Sequence, residues 1–263
     1  TLAYTSVKVQ ENYSRRFTIR FPNEELPDGR PLRTTPIYDR LLAAGAQMGE
    51  AYGLEQPLWF APEGVIDEFS WRRSTDFVHV GEEARAVRDS VGLIEISGFA
   101  KYSVSGPGAA DWLDQLLACR IPSEDRMTLA PMLNPQGKLI GDFSLANLGD
   151  NEYFIAGAGV AEAYHMRWFL QHLLQDGSVE ITPHGTGIGG VSIAGPNARR
   201  LLADVTSEDV SANAFTFMDI REMDIGQAPC LVGRVSYTGD LGYFDDDGYI
   251  CLLYTSPSPR DRG

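Results

Sequence analysis

The chain has 263 residues, 43% of them hydrophobic and 22% charged, and carries a formal net charge of −14. That length supports one large domain or two small ones with a real core, and the acidity argues against nucleic acid or an anionic membrane surface as a partner, since both select clustered Lys and Arg. Three scattered cysteines (Cys119, Cys230, Cys251) and four dispersed histidines (His79, His165, His172, His184) show no metal-ligand spacing, and a sparse, odd cysteine count suits a reducing compartment.

The first residues, TLAYTSVKVQENYSRRF, have no initiator Met and no signal-peptide pattern, so the chain reads as cut at this end. No apolar run reaches the roughly 20 residues of a bilayer span, and no membrane partner is expected. Arg16 to Phe21 alternates and predicts a strand ended by Pro22-Asn23. The Pro- and Gly-containing stretch from Asn23 to Thr34 reads as a linker or surface wrap. Thr35 as N-cap, Pro36 at the first helical position and Gly53 as a stop predict a helix over 36–52. Leu58 to Phe60 is an apolar cluster suited to a core or a pocket wall, and 81–90 is a short charged helix. Residues 93–105 predict strand–turn–strand, and Gly106-Pro107 opens a helix with Trp112, Leu113, Leu116 and Leu117 on one face.

Next comes RMTLAPMLNPQGKLIGDFSLANL, from Arg126 to Leu148, which has the form of a β-hairpin. Its apolar runs flank the turn Asn134-Pro135-Gln136-Gly137, where Pro presets φ and Gly tolerates positive φ. Inside the second run sits one carboxylate, Asp142, between Gly141 and Phe143. Acidic residues are depleted from strands and costly to bury unpaired. Asp142 is therefore a candidate for chemistry on a cationic or N–H-bearing ligand; the alternative is an edge strand on which it simply faces water.

A third strand is expected over 153–156, an amphipathic helix over 161–174, strands at 178–182 and 190–194, a Pro196-started helix to Ala203, and strands near 215–225 and 230–237. Hairpins mixed with helices, without regular βαβ alternation, predict an α+β fold. Gly185-Thr186-Gly187-Ile188-Gly189-Gly190 has the GxGxxG spelling of a dinucleotide site, but Val191 to Ala194 after it reads as a strand, whereas the mechanism needs a helix N-terminus; a turn between strands is the better reading. His165 and His172, seven apart on one helix, read as packing or surface residues. No Ser/His/Asp arrangement supports a hydrolase triad. Tyr237-Thr238-Gly239-Asp240-Leu241-Gly242-Tyr243 is a two-glycine turn that lets backbone approach a ligand, with Tyr237 able to stack on a flat ring; an ordinary β-turn is the alternative.

Together these pieces resemble the aminomethyltransferase (T-protein) of the glycine cleavage system, and more closely the folate-binding half of dimethylglycine and sarcosine dehydrogenases. Thr35-Pro36-Ile37-Tyr38, Gly45-Ala46 and Met48 are similar to the opening "TPLYD…GAKM" of that domain. Ala86-Val87-Arg88, Gly92-Leu93 and Ser97 resemble its next motif, and Met132-Leu133-Asn134, Gly137 and Asp142 its "MLN..GG..DD" hairpin. Ile193-Ala194-Gly195-Pro196 and Arg234-Val235-Ser236-Tyr237-Thr238-Gly239 resemble two later ones. Glu11-Asn12-Tyr13, Phe21-Pro22-Asn23-Glu24-Glu25 and Trp59-Phe60-Ala61-Pro62-Glu63-Gly64 resemble the flavin-linked branch rather than the free-standing T-protein.

The resemblance implies an FAD domain in cis that oxidises an N-methyl amine to an iminium, and a second site where tetrahydrofolate takes the one-carbon unit to give 5,10-methylenetetrahydrofolate. Asp142 would be the catalytic carboxylate, and Asp142, Met132, Arg234 and Tyr237 the folate-binding residues. Residues 1–34 would be the remnant of a preceding flavin-oxidoreductase module and linker, and 35–243 the folate-binding domain. From Phe244, where the family has a pterin-gripping Glu, the sequence departs. Residues 244–263 read as a non-family, artefactual tail, ending in YTSPSPRDRG like translated adapter DNA and adding nothing to a core. The location implied is cytoplasmic in a bacterium and the mitochondrial matrix in a eukaryote. A non-catalytic folate-binding module, like the iron–sulfur assembly proteins of this fold, is the alternative, as is an inactive truncated product; the KGCYxGQ-type motif of those modules is absent around Cys119 and Cys230.

Overall fold

The computed structural model describes residues 2–235 and the backbone of 250–255. The chain divides into two compact units, Thr1–Ala86 and Val87–Gly263.

The first unit begins with helix α1 (Leu2–Ser14), continues through the short helix α2 (Tyr38–Ala43) to a hairpin of β1 (Ala46–Ala51) and β2 (Leu54–Phe60), and ends in α3 (Asp76–Asp89). Two expectations are corrected here. Residues 15–21 form a turn and irregular chain rather than a strand. The helix expected over 36–52 stops at Ala43, and the rest is strand β1. The breaks are backbone events: Gly45 sits at φ 92, where a Cβ would lie 2.4 Å from the Ala61 carbonyl oxygen, and Tyr52 and Gly53 both take positive φ (53° and 82°), the two-residue turn that matches strand twist. Charge pairs hold this unit together. Arg30 donates to both Glu55 carboxylate oxygens at 2.7 and 2.6 Å and to the Met48 carbonyl at 2.8 Å. On α1, Lys8 donates to the Leu26 carbonyl at 2.8 Å and to Glu11 at 3.3 Å, while Tyr4 donates to Glu50. Glu11 and Glu55 are buried, so these partners offset a large desolvation cost.

The second unit stacks two antiparallel sheets face to face. One has the strand order β5-β6-β7-β4-β8, where β4 is Ala100–Ser105, β5 Arg126–Leu133, β6 Leu139–Gly149, β7 Glu152–Gly157 and β8 Glu180–Pro183. The other has the order β10-β11-β12-β9-β3, where β3 is Gly92–Glu95, β9 Gly189–Ala194, β10 Ile220–Ile225, β11 Ala228–Val235 and β12 Ile250–Thr255. Helices α4 (Ala109–Leu116) and α5 (Glu162–His172) cover the outer face of the first sheet through Trp112, Leu113 and Phe169 on Phe143, Leu145 and Ile155. Helix α6 (Ala198–Val205) covers the outer face of the second through Leu202 on Ile193 and Val232. Between the sheets lie Met127, Ala146, Phe154, Ala156, Ile220 and Val235. The α+β expectation holds. Within the segment expected to lie outside the family, ICLLYT at 250–255 forms β12, paired on one side with β11 and on the other with β9.

Lys101 is a fully buried cation within this unit. Its Nζ donates to the carbonyls of Ser97 and Phe99, both at 2.8 Å, and of Gly185 at 3.3 Å, so it ties the loop before β4 to the Gly185–Gly187 turn. Burial pulls its pKa down to about 8. Removing the ammonium would strand three carbonyls in a dry place. Lys101→Met is therefore expected to lose about 3 kcal/mol of stability, measured by urea unfolding, while Lys138→Met on the exposed turn shifts it by no more than about 0.5 kcal/mol. Equal midpoints for the two variants would disprove the tether.

Candidate functional site

The hairpin expected around Asp142 is present. Strands β5 and β6 pair from Arg126↔Asn147 to Leu133↔Leu139, closed by Asn134 to Lys138, with the Asn134 side-chain oxygen accepting from the Gln136 and Lys138 amides at 3.0 and 2.9 Å. Strand β6 is not an edge strand, because β5 and β7 flank it. Its residues alternate between the two faces of the sheet. Phe143 and Leu145 point outward to the helices, and Ala146 inward to the second sheet. Asp142, across the pleat from Phe143, is on the inner face.

Rows across that face show where packing ends. The row Met127–Ala146–Phe154 is buried between the sheets. The next, Leu129–Ser144–Ala156–Lys101, is buried only at its Ala156–Lys101 end, since Leu129 is 66% exposed. One row further, Pro131 faces Asp142, which is exposed. Leu133 and Leu139, 38% and 62% exposed, complete a rim of apolar side chains on this hairpin. A single carboxylate on an apolar, water-open shelf suits a flat ligand with N–H groups or positive charge: the apolar surface takes the ring and the carboxylate accepts from its donors.

The other expected site residues lie elsewhere. Met132 is fully buried among the outer-face residues under α4 and α5, on the side of the sheet opposite Asp142. Arg234 alternates with the inward Val235; its Nη1 donates to the Phe215 carbonyl at 2.6 Å, on the α6 side of the second sheet. Neither is brought to Asp142, because one residue of register on a pleated strand reverses the face. Tyr237, Phe244 and the turn from Tyr237 to Tyr243 lie outside the described residues. The Gly185–Gly190 segment is a single 3₁₀ turn running into β9, as expected, with no helix to meet a pyrophosphate.

One residue beneath the site was expected only as a packing or surface residue. His165 of α5 is buried directly beneath β6, its ring centroid 4.7 Å from that of Phe143 and its Nδ1 3.4 Å from the Tyr102 hydroxyl. Burial lowers its pKa, and a hydrogen bond to the Ile140 carbonyl works the other way. Its i, i+4 spacing with Phe169, the other buried residue of α5, is the signal that places it on the core side.

Comparison with known proteins settles the family. Residues 37–243 match the family described as GCVT N-terminal domain, and residues 1–35 match the FAD dependent oxidoreductase central domain. The chain belongs to the GCVT N-terminal domain family, a folate-binding aminomethyltransferase module. It is 32% identical to rat (Rattus norvegicus) dimethylglycine dehydrogenase over 92% of this chain and 29% of that protein. It is 27% identical to a 4-methylaminobutanoate oxidase (formaldehyde-forming) of Paenarthrobacter nicotinovorans, over 91% of this chain and 29% of that protein. The chain thus spans under a third of the length of these relatives. Its fold is similar to that of the glycine cleavage system aminomethyltransferase T from Bartonella henselae, at a TM-score of 0.66 and 19% identity, covering 86% of this chain and 54% of that one. The family match ends at residue 243, one residue before the point where the sequence pattern departs.

The residue before Asp142 is also constrained. A Cβ on Gly141 would lie 2.5 Å from Phe143 Cζ and 2.9 Å from His165 Nε2, both anchored in the core. Gly141→Ala is therefore expected to cost about 1–3 kcal/mol through overpacking, whereas the exposed Asp142→Asn should move stability by no more than about 0.5 kcal/mol. Chemical denaturation of the two variants checks both.

Proposed function

We propose that this chain is the folate-facing part of a flavin-dependent N-methyl amine dehydrogenase or oxidase, in which Asp142 is the carboxylate of the one-carbon transfer site. The observation that carries the reading is the lone Asp142 on the open, apolar end of the inner sheet face, within a chain that matches a flavin-linked segment over 1–35 and the folate domain over 37–243. The site fits tetrahydrofolate in the chemistry of its groups: Leu129, Pro131 and Leu133 offer apolar surface for a ring, and Asp142 offers an acceptor for its N–H groups.

When bound, tetrahydrofolate supplies the nitrogen nucleophiles that take up the one-carbon unit from an iminium produced by an FAD domain in cis. The chain's part is electrostatic and positional. Asp142 stabilises positive charge arriving at the site and is placed to accept a proton as a nitrogen loses it. Asp142 pairs with Pro131 on β5 and directly precedes the part of β6 that β5 and β7 pair on both sides, which holds the carboxylate in place so that little reorganisation accompanies the reaction. Tyr237 is proposed to line the same site. Residues 1–34 are proposed to close the flavin module and 35–243 to form the folate domain. The mitochondrial names of the similar mammalian proteins support a matrix location for a eukaryotic source.

Isothermal titration of this chain with tetrahydrofolate tests the reading. Binding is expected, with Asp142→Asn weakening it about tenfold, the lower part of the range for a hydrogen bond to a charged group. An unchanged dissociation constant in Asp142→Asn would remove Asp142 from the site. In a protein that also carries the flavin domain, the same variant should divert the one-carbon unit from 5,10-methylenetetrahydrofolate to free formaldehyde.

A further inference from the structure

The register of the β5–β6 pair slips immediately before Asp142. Met132 pairs with Gly141 and Leu133 with Leu139, which leaves Ile140 as an extra residue with no partner in register. Such a bulge takes a backbone carbonyl out of the ladder and re-aims the side chains that follow it. The disposition of Asp142 on the inner face is therefore set by whatever holds Ile140 and Gly141 from the outer face.

His165 occupies that place. Its ring lies against the Ile140–Gly141 backbone: the Ile140 carbonyl favours its protonated form, its Nε2 lies 2.9 Å from where a Gly141 Cβ would be, and Nδ1 meets the Tyr102 hydroxyl at 3.4 Å. The ring is wedged between Phe143, 4.7 Å away at 70°, and Tyr164, 6.1 Å away. Tyr102 is fully buried and packed edge-on to Phe169 at 5.3 Å, so the hydroxyl that meets Nδ1 is itself fixed. Glycine at 141 is what lets the imidazole reach the bulge.

We propose that His165, held by Tyr102, is a positioning residue for Asp142: it caps the Ile140 bulge from the core side and thereby fixes where the carboxylate stands on the opposite face. This rests on the assignment of Asp142 to the folate site, but the contact itself is a property of the apo chain. His165 touches no ligand in this arrangement and acts only through the strand.

A double-mutant cycle with two probes tests it. With tetrahydrofolate as the titrant, Tyr102→Phe, which deletes only the hydroxyl, is expected to weaken binding about threefold, and His165→Phe about tenfold, while either change in an Asp142→Asn background shifts it less than about twofold. His165→Gln, which keeps a donor for the Ile140 carbonyl, should stay within about threefold of the native chain. Equal losses in both backgrounds, or no loss in a folded Tyr102→Phe, would overturn the proposal. The second probe is amide hydrogen exchange over 140–143, which needs no ligand: Tyr102→Phe and His165→Phe should speed it selectively, by about tenfold for His165→Phe, relative to the amides of β7. Absence of tetrahydrofolate binding to the native chain would count against the folate reading alone; unchanged exchange over 140–143 would then still refute the positioning.

Discussion

The arrangement depends on one demand placed on β6: it must be buried on both faces and still deliver a carboxylate to water. With β5 and β7 beside it, helices α4 and α5 over one face and the second sheet over the other, its middle carries apolar residues on both sides of the pleat, Leu145 toward the helices and Ala146 toward the sheet. Only at the β5–β6 turn end does the inner face run beyond the second sheet, and there the side chains change from buried Ala146 to exposed Asp142. A charged group three residues further along the strand would face desolvation costs of several kcal/mol without a partner. The position of the acid is thus a compromise between a rigid base and a solvated tip.

That compromise explains why so much of the second unit was legible and why the site was only partly so. Period-2 alternation and strong turn residues located β5, β6, β7 and β9, and capping and apolar spacing located α4, α5 and α6, because in these segments local preference and tertiary burial agree. Asp142 stood out because a lone acid in a strand is locally unfavourable. Met132 and Arg234 were grouped with it on motif membership alone, and the structure sends both to outer faces: neighbouring positions of a strand serve different layers. His165 was read as no more than a packing or surface residue for the opposite reason. A histidine on a helix carries no local penalty, and its place under a bulge is created only when α5 docks on β6.

In the first unit the sequence was less readable, and the cause is different. Pro36, Ala43 and Ala44 favour a helix, but Gly45 and Gly49 sit where backbone and Leu58 leave no room for a side chain, and the Tyr52-Gly53 turn closes a hairpin instead. Helix α1 has little amphipathic pattern to announce it; it is fixed by Lys8 donating to the Leu26 carbonyl, Tyr4 donating to the Glu50 carboxylate and Glu11 accepting from the Asp28 amide. Where a segment is held by ion pairs of long sequence separation rather than by an apolar stripe, periodicity has nothing to report. The strand ICLLYT makes the complementary point: six residues of high β-preference fill the gap between β9 and β11 whatever the composition around them.

The two buried polar devices of the second unit have distinct consequences. Lys101 and His165 both reach carbonyls that secondary structure leaves over, but from opposite faces of the same sheet. Lys101 gathers three carbonyls of two loops around one cation, so its contribution is mainly to holding those loops against the sheet. His165 lies beneath a register slip, where the alternative is a strand free to shift by a residue and turn Asp142 to the outer, helix-covered face that Phe143 occupies. A register error there would cost the site more than it costs the fold, since the hairpin's apolar residues could still find partners. Side chains that guard register beside a functional group are therefore to be sought on the face away from the ligand, where neither pocket geometry nor motif spacing points.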